Sequence, residues 1–127
     1  MTIARILRSK GGHVVSVGPG EDVGAICRSL AQHRIGAVLV RDMDNAVLGI
    51  VSERDIARHI AADGAAALAL TAREVMTTGL HTVGTDMPVA EALALMTDRR
   101  IRHLPVMEHE RLIGMVSIGD LVKARIE

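Results

Sequence analysis

The chain repeats itself, and each copy is too short to fold well alone. Ser16-Val17-Gly18 returns as Thr82-Val83-Gly84, an offset of 66. At that offset Val23 matches Val89, Arg34-Ile35 matches Arg100-Ile101, and Val40 matches Val106. One residue is then lost in the polar stretch Arg41 to Ala46, which reads as a turn. The offset becomes 65, and Gly49-Ile50-Val51-Ser52-Glu53-Arg54-Asp55 matches Gly114-Met115-Val116-Ser117-Ile118-Gly119-Asp120. A unit of about fifty residues buries too little surface to be stable by itself. Two copies packing sheet against sheet answer that shortage.

Each copy predicts the order β-α-β-β-α. Val14 to Val17 is a short β-branched run, and Asp22 offers a helix cap. Val23, Ile26, Cys27 and Leu30 then follow at i, i+3, i+4 and i+7, with Val89, Ala92, Leu93 and Met96 as their counterparts. Pro88 sits where a first helical turn tolerates it. Strands follow at Ala37 to Val40 and His103 to Val106, then at Val47 to Val51 and Leu112 to Val116. Strands flanking so short a turn should pair as antiparallel hairpins. Closing helices start near Ser52 and Ser117. The repeats are assigned to residues 1–60 and 73–127. Residues 61–72 form an Ala-rich linker, helical at most in part because Gly64 interrupts it. The fold class is mixed α/β (α+β).

Composition excludes several functions. Fifteen basic residues balance fifteen acidic ones, which gives no electrostatic case for nucleic acid. Phe, Tyr and Trp are absent, so there is no stacking platform for single strands. Adenine, if bound, would have to meet aliphatic walls and backbone groups. No apolar run approaches the ~20 residues of a membrane helix, and the start lacks a signal-peptide pattern. Cys27 is the single cysteine, which precludes an internal disulfide and fits a reducing cytoplasm. On its apolar stripe it reads as core, and the seven methionines read as core and interface. The six histidines show no zinc spacing. Gly18-x-Gly20 lacks the third glycine of a dinucleotide fingerprint.

Twice, then, a β-α-β-β-α unit ends in Gly-apolar-apolar-Ser-x-x-Asp. With Thr71 to Thr77 and Ile101 to Val106, this resembles tandem cystathionine β-synthase-type (CBS) domains, a Bateman module, from about Ile3 to Val122. The resemblance implies a pseudo-twofold module whose cleft holds adenosine ligands: AMP, ADP, ATP, S-adenosylmethionine or a dinucleotide such as NAD. It also implies a homodimer and regulation of an effector, here expected to be a separate protein.

Carried onto this sequence, the resemblance makes Asp55 and Asp120 the acceptors of two ribose hydroxyls. Ser52 and Ser117 mark helix starts whose N–H groups favour phosphate. Arg54 and Arg58 would add charge at the first site. Gly119 and Lys123 replace them at the second, where Arg102 and His103 could supply charge instead. Adenine would meet the backbone near Val15 to Val17 and His81 to Val83. Gly36 and Ala37 make a small wall in one copy, and the bulkier Arg102 and His103 stand in the other. The sites should therefore differ in preference. The same Ser-x-x-Asp is also a plain helix cap with an acidic third position. A ligand-free dimerisation or scaffold module is thus the alternative to an adenosine sensor. Catalysis is not expected: no nucleophile–base pair stands out, and the barrel of the dehydrogenase that carries an inserted CBS pair needs ~250 residues.

Overall fold

The computed structural model describes residues 1–126. In chain order it contains α1 (Ile3–Lys10), β1 (Ser16–Val17), α2 (Val23–His33), β2 (Ala37–Arg41), β3 (Val47–Ser52) and α3 (Glu53–Asp63). A 3₁₀ turn (Gly64–Ala69) follows, then α4 (Ala72–Val75), α5 (Val89–Arg99), β4 (His103–Glu108), β5 (Arg111–Ser117) and α6 (Ile118–Ile126). The β-α-β-β-α order is observed in the first copy. In the second copy the opening strand shrinks to one parallel bridge, Val83 to Val106.

Sequence and element agree where local chemistry is strong. Asp22 caps α2 by accepting the Ala25 N–H at 2.7 Å. The expected stripe faces inward: Val23, Ile26 and Leu30 are buried, as are Val89, Ala92 and Met96. Pro88 stands at the N-cap of α5, one place earlier than expected. Both helices end on a residue in the left-handed region, Arg34 and Arg100, at matched positions. β1 pairs parallel with β2, and β2 pairs antiparallel with β3. β4 and β5 form a separate antiparallel hairpin.

Two compact units result, and they cut across the sequence repeats. One is Val15–Leu80; the other joins Met1–Val14 to the chain from His81 onward. In the first unit Val38, Val40 and Val51 pack with Val23, Ile26, Leu30, Ile56, Ala72 and Val75. In the second, Leu104, Val106 and Val116 pack with Val89, Met96, Leu121 and with Ile3 and Ile6 of α1. Each fully buried Val, Leu or Ile contributes about 1.5–3 kcal/mol.

The segment before each repeat thus packs on the other repeat. Thr2 bridges to Pro88, as Thr71 bridges to Asp22. Ile3 N–H donates to the Met87 carbonyl, as Ala72 N–H donates to that of Glu21. Ala4 donates to Thr85 as Arg73 does to Pro19, and Val89 to Met1 as Val23 does to Leu70. Residues 1–7 therefore correspond to 70–76, a third stretch of the repeat, at an offset of 69. The stretch assigned as linker, 61–72, holds the end of α3, the 3₁₀ turn and the first residue of α4, and α1 itself was not foreseen. Among the described residues no helix is long and apolar enough to cross a membrane.

Candidate functional site

The hairpin registers bring the candidate residues together. Ala37 lies opposite Ser52, and His103 lies opposite Ser117. The wall residue of each copy is therefore the cross-strand partner of the serine that starts its closing helix. The first amide of each helix is taken: Glu53 N–H donates to Gly36 O at 3.0 Å, and Ile118 N–H to Arg102 O at 2.8 Å.

Both helices start with the cap that the sequence allowed. Asp55 N–H donates to Ser52 Oγ at 3.2 Å, while Asp55 Oδ2 accepts Ser52 N–H at 2.9 Å and its hydroxyl at 3.0 Å. Asp120 N–H likewise donates to Ser117 Oγ at 3.2 Å, and Asp120 Oδ2 accepts Ser117 N–H at 2.8 Å. Two of the first three helix amides are thus spent within the protein, which narrows the phosphate cradle expected there.

Each carboxylate receives one further donor from the exchanged segment. Thr77 Oγ1 donates to Asp55 Oδ1 at 3.0 Å. Lys10 Nζ donates to Asp120 Oδ2 at 2.7 Å and to the Met115 carbonyl at 2.9 Å. Asp55 is 8% exposed, the one buried charged residue among those described. Partial burial pushes the Asp120 carboxyl up. The hydrogen bond from Lys10, the Ser117 amide and the Lys10 charge outweigh it and hold the group below the ordinary range.

The motif glycine has a packing cause. A Cβ on Gly49 would stand 2.7 Å from Thr77 O and 2.8 Å from Met76 Sδ. On Gly114 it would stand 2.7 Å from Leu7 Cδ2. Leu7 and Met76 are counterparts at the offset of 69. Glycine is the residue that lets the exchanged segment lie on the last strand.

The other candidates scatter more. Arg54 and Arg58 are exposed, and Arg58 reaches only 4.0 Å from Asp55 Oδ1. Arg102 and Lys123 are exposed, as is His81. Val17 and Val83 are core residues. Val15 O accepts Leu39 N–H, and both backbone groups of Val83 bond to β4, so the Val83 amide is already spent within the sheet. A cavity of about 670 Å³ between α2 and α3 includes Gly36 but no other candidate residue. Sequence reasoning missed Thr77, Lys10 and Ser16. The Ser16 hydroxyl, on β1, is the buried side-chain polar atom without a partner among the described residues. The correspondence of 1–7 with 70–76 was the one signal that could have pointed to the exchanged segments. No cluster of metal-ligating side chains occurs among the described residues.

The CBS domain family model matches residues 4–62 and 72–127. The chain is 37% identical to the mitochondrial CBS domain-containing protein CBSX3 of Arabidopsis thaliana, over 97% of this chain but 64% of that protein's length. The crystal structure of the CBS-domain containing protein ATU1752 from Agrobacterium tumefaciens superposes with a TM-score of 0.96 at 41% identity, covering 98% of this chain and 92% of that one. The CBS domain pair of protein MJ0100, in complex with 5'-methylthioadenosine and S-adenosyl-L-methionine, shares the fold with a TM-score of 0.86 at 22% identity, over 98% of this chain and 95% of that one. Two family matches covering most of the chain, on two copies of one strand-helix-hairpin-helix plan, settle the assignment: the chain belongs to the CBS domain family.

Proposed function

We propose that the chain is a regulatory module that binds an adenosine-containing ligand, with Asp55 and Asp120 accepting ribose hydroxyls. The observation that carries this reading is acceptor capacity held in a fixed place. Each carboxylate is locked through Oδ2 by its own serine cap, and Oδ1 is the oxygen turned to a hydroxyl donor in Asp55 and left unbonded in Asp120 among the described residues. Asp55 Oδ1 already takes a hydroxyl from the exposed Thr77, the kind of donor a ribose offers. Asp120 Oδ1 makes no hydrogen bond among the described residues. The unpartnered Ser16 hydroxyl adds support, because leaving it unbonded costs about 1–3 kcal/mol that a ligand would recover. The adenosine compounds held by the MJ0100 pair agree with the same ligand class.

Ser52, Gly36 and Ala37 would line the first site and Ser117, Arg102 and His103 the second, with Arg54, Arg58 and Lys123 as the mobile charges. Ligand occupancy changes the output only through unequal affinity for two states of the module. A homodimer acting on a separate effector in the cytoplasm completes the reading. Exposed Ile118, Val122 and Ile126 along one face of α6 are compatible with a self-association surface.

A thermal-shift and calorimetric panel tests it: adenosine, AMP, ATP, S-adenosylmethionine, methylthioadenosine and NAD, with guanosine as control. A ligand at about 100 times its dissociation constant should stabilise the protein by ~2.7 kcal/mol. Silence across the panel from folded protein would sink the reading. It would favour the ligand-free scaffold, which self-satisfied caps and the packing role of Gly49 and Gly114 already support.

A further inference from the structure

We infer that the groove between α1 and α6 is an anion site that takes a di- or triphosphate group. A cavity of about 660 Å³ lies there, within the second unit, and its polar lining is Arg5, Arg8, Ser9 and Lys10 from α1 with Asp120 and Lys123 from α6. Arg5, Arg8 and Ser9 are spaced i, i+3 and i+4, so they share a helix face, and Asp120 and Lys123 are spaced i, i+3 on the other. Four cations thus meet one carboxylate. Lys10 spends its charge on that carboxylate at 2.7 Å. Arg5, Arg8 and Lys123 are exposed and form no ion pair among the described residues.

This concentration is local, because the whole chain carries equal numbers of acidic and basic residues. α1 contains no acidic residue at all, and Asp120 is the only one between Ile118 and Ile126. Three unpaired cations around one concave space repel each other, and an anion removes that cost. Two guanidinium forks suit phosphate oxygens, which they bind in pairs. The partner is small and polyanionic: the cations line a cavity rather than a flat face, and no aromatic side chain is present to stack bases. A lipid surface is disfavoured because the apolar face of α1, Ile3 and Ile6, is buried in the core of its own unit. The groove shares Asp120 and Lys123 with the proposed second adenosine site, but the inference requires neither ribose nor adenine.

The test is calorimetric titration of the full chain with inorganic tripolyphosphate at low and at physiological salt. The Arg5→Ala/Arg8→Ala/Lys123→Ala variant should bind about tenfold more weakly or worse, with its unliganded Tm nearly unchanged because all three side chains face solvent. A control removing three exposed arginines elsewhere, Arg28→Ala/Arg73→Ala/Arg111→Ala, should keep affinity within about twofold. No binding to the wild type, or equal losses in both variants, overturns the site. If the groove variant unfolds, the single variants Arg8→Ala and Lys123→Ala replace it, each expected to weaken binding while Arg73→Ala does not. Adenosine without phosphate is titrated in parallel: its binding while tripolyphosphate fails overturns the anion site alone, and the converse overturns the adenosine reading alone. Binding of ATP tighter than tripolyphosphate marks a nucleotide tail as the natural occupant, whereas equal affinity marks free polyphosphate; either supports the site.

Discussion

The two repeats cap their closing helices in the same way but seat their carboxylates differently. In the first, Asp55 is buried and both oxygens are engaged by hydroxyl and amide donors from Ser52 and Thr77. In the second, Asp120 is more open and is held by an ammonium from Lys10. The same motif is therefore held by neutral donors at short range in one unit, with Arg58 only at 4.0 Å, and by a close ammonium that salt can screen in the other. A shared motif does not define an identical site. The donor that completes it comes from a segment outside the string.

The difference should show most strongly at the motif glycines. Gly49→Ala forces a Cβ against a backbone carbonyl that cannot step aside and should cost about 2–3 kcal/mol. Gly114→Ala meets only the end of the Leu7 side chain, which can turn, and should cost about 1 kcal/mol. Urea denaturation of the two variants would collapse the contrast if their order were reversed.

The aspartates come next. Asp55→Ala leaves the Ser52 amide and the Thr77 hydroxyl without their acceptor and should lose about 1–3 kcal/mol in ligand-free protein. Asp120→Ala should lose about 1 kcal/mol. The Asp55 cap is thus part of the first unit's stability as well as a candidate ligand contact. Equal losses in unfolding experiments would remove the distinction.

Smaller effects separate the donors. A double-mutant cycle of Lys10→Met with Asp120→Asn should give about 0.2–1 kcal/mol of coupling at low salt and much less at 1 M. The Thr77→Val/Asp55→Asn cycle should ignore salt; a salt-dependent result there would break the neutral assignment. The smallest effect concerns pH. Because the folded Asp120 carboxyl lies below its ordinary value, its contribution is complete above the unfolded pKa and disappears as pH falls through the folded one. Acid titration of stability should therefore lose its low-pH slope contribution in Asp120→Asn; an unchanged profile would contradict the ion-pair setting.

Much of this was legible in the sequence because it is local chemistry. Asp22 as a cap, the Val23-Ile26-Leu30 stripe, the two hairpins and the Ser-x-x-Asp caps all follow from residues within a few positions of each other. The exchange of α1 and α4 was not legible. An amphipathic pattern tells that Ile3 and Ile6 must be buried, not which repeat buries them. For the same reason nothing near Asp120 in the chain announces Lys10, and nothing near Asp55 announces Thr77. The pairing of Val83 was not legible either, because a β-branched run does not reveal which of its backbone groups the neighbouring strand consumes.

The exchange also orders events in time when the chain is made. The segment that closes the first repeat follows that repeat directly, so the first unit can complete itself once Leu80 has emerged. α1, which packs on the second repeat, is made before either repeat, and Lys10 meets a partner 110 positions later. At ~5–20 residues per second that is a wait of roughly 5–20 s during which Ile3 and Ile6 have no core to enter. A helix made ahead of both repeats is thus the last to dock, and the nascent chain must keep its apolar face out of trouble until then.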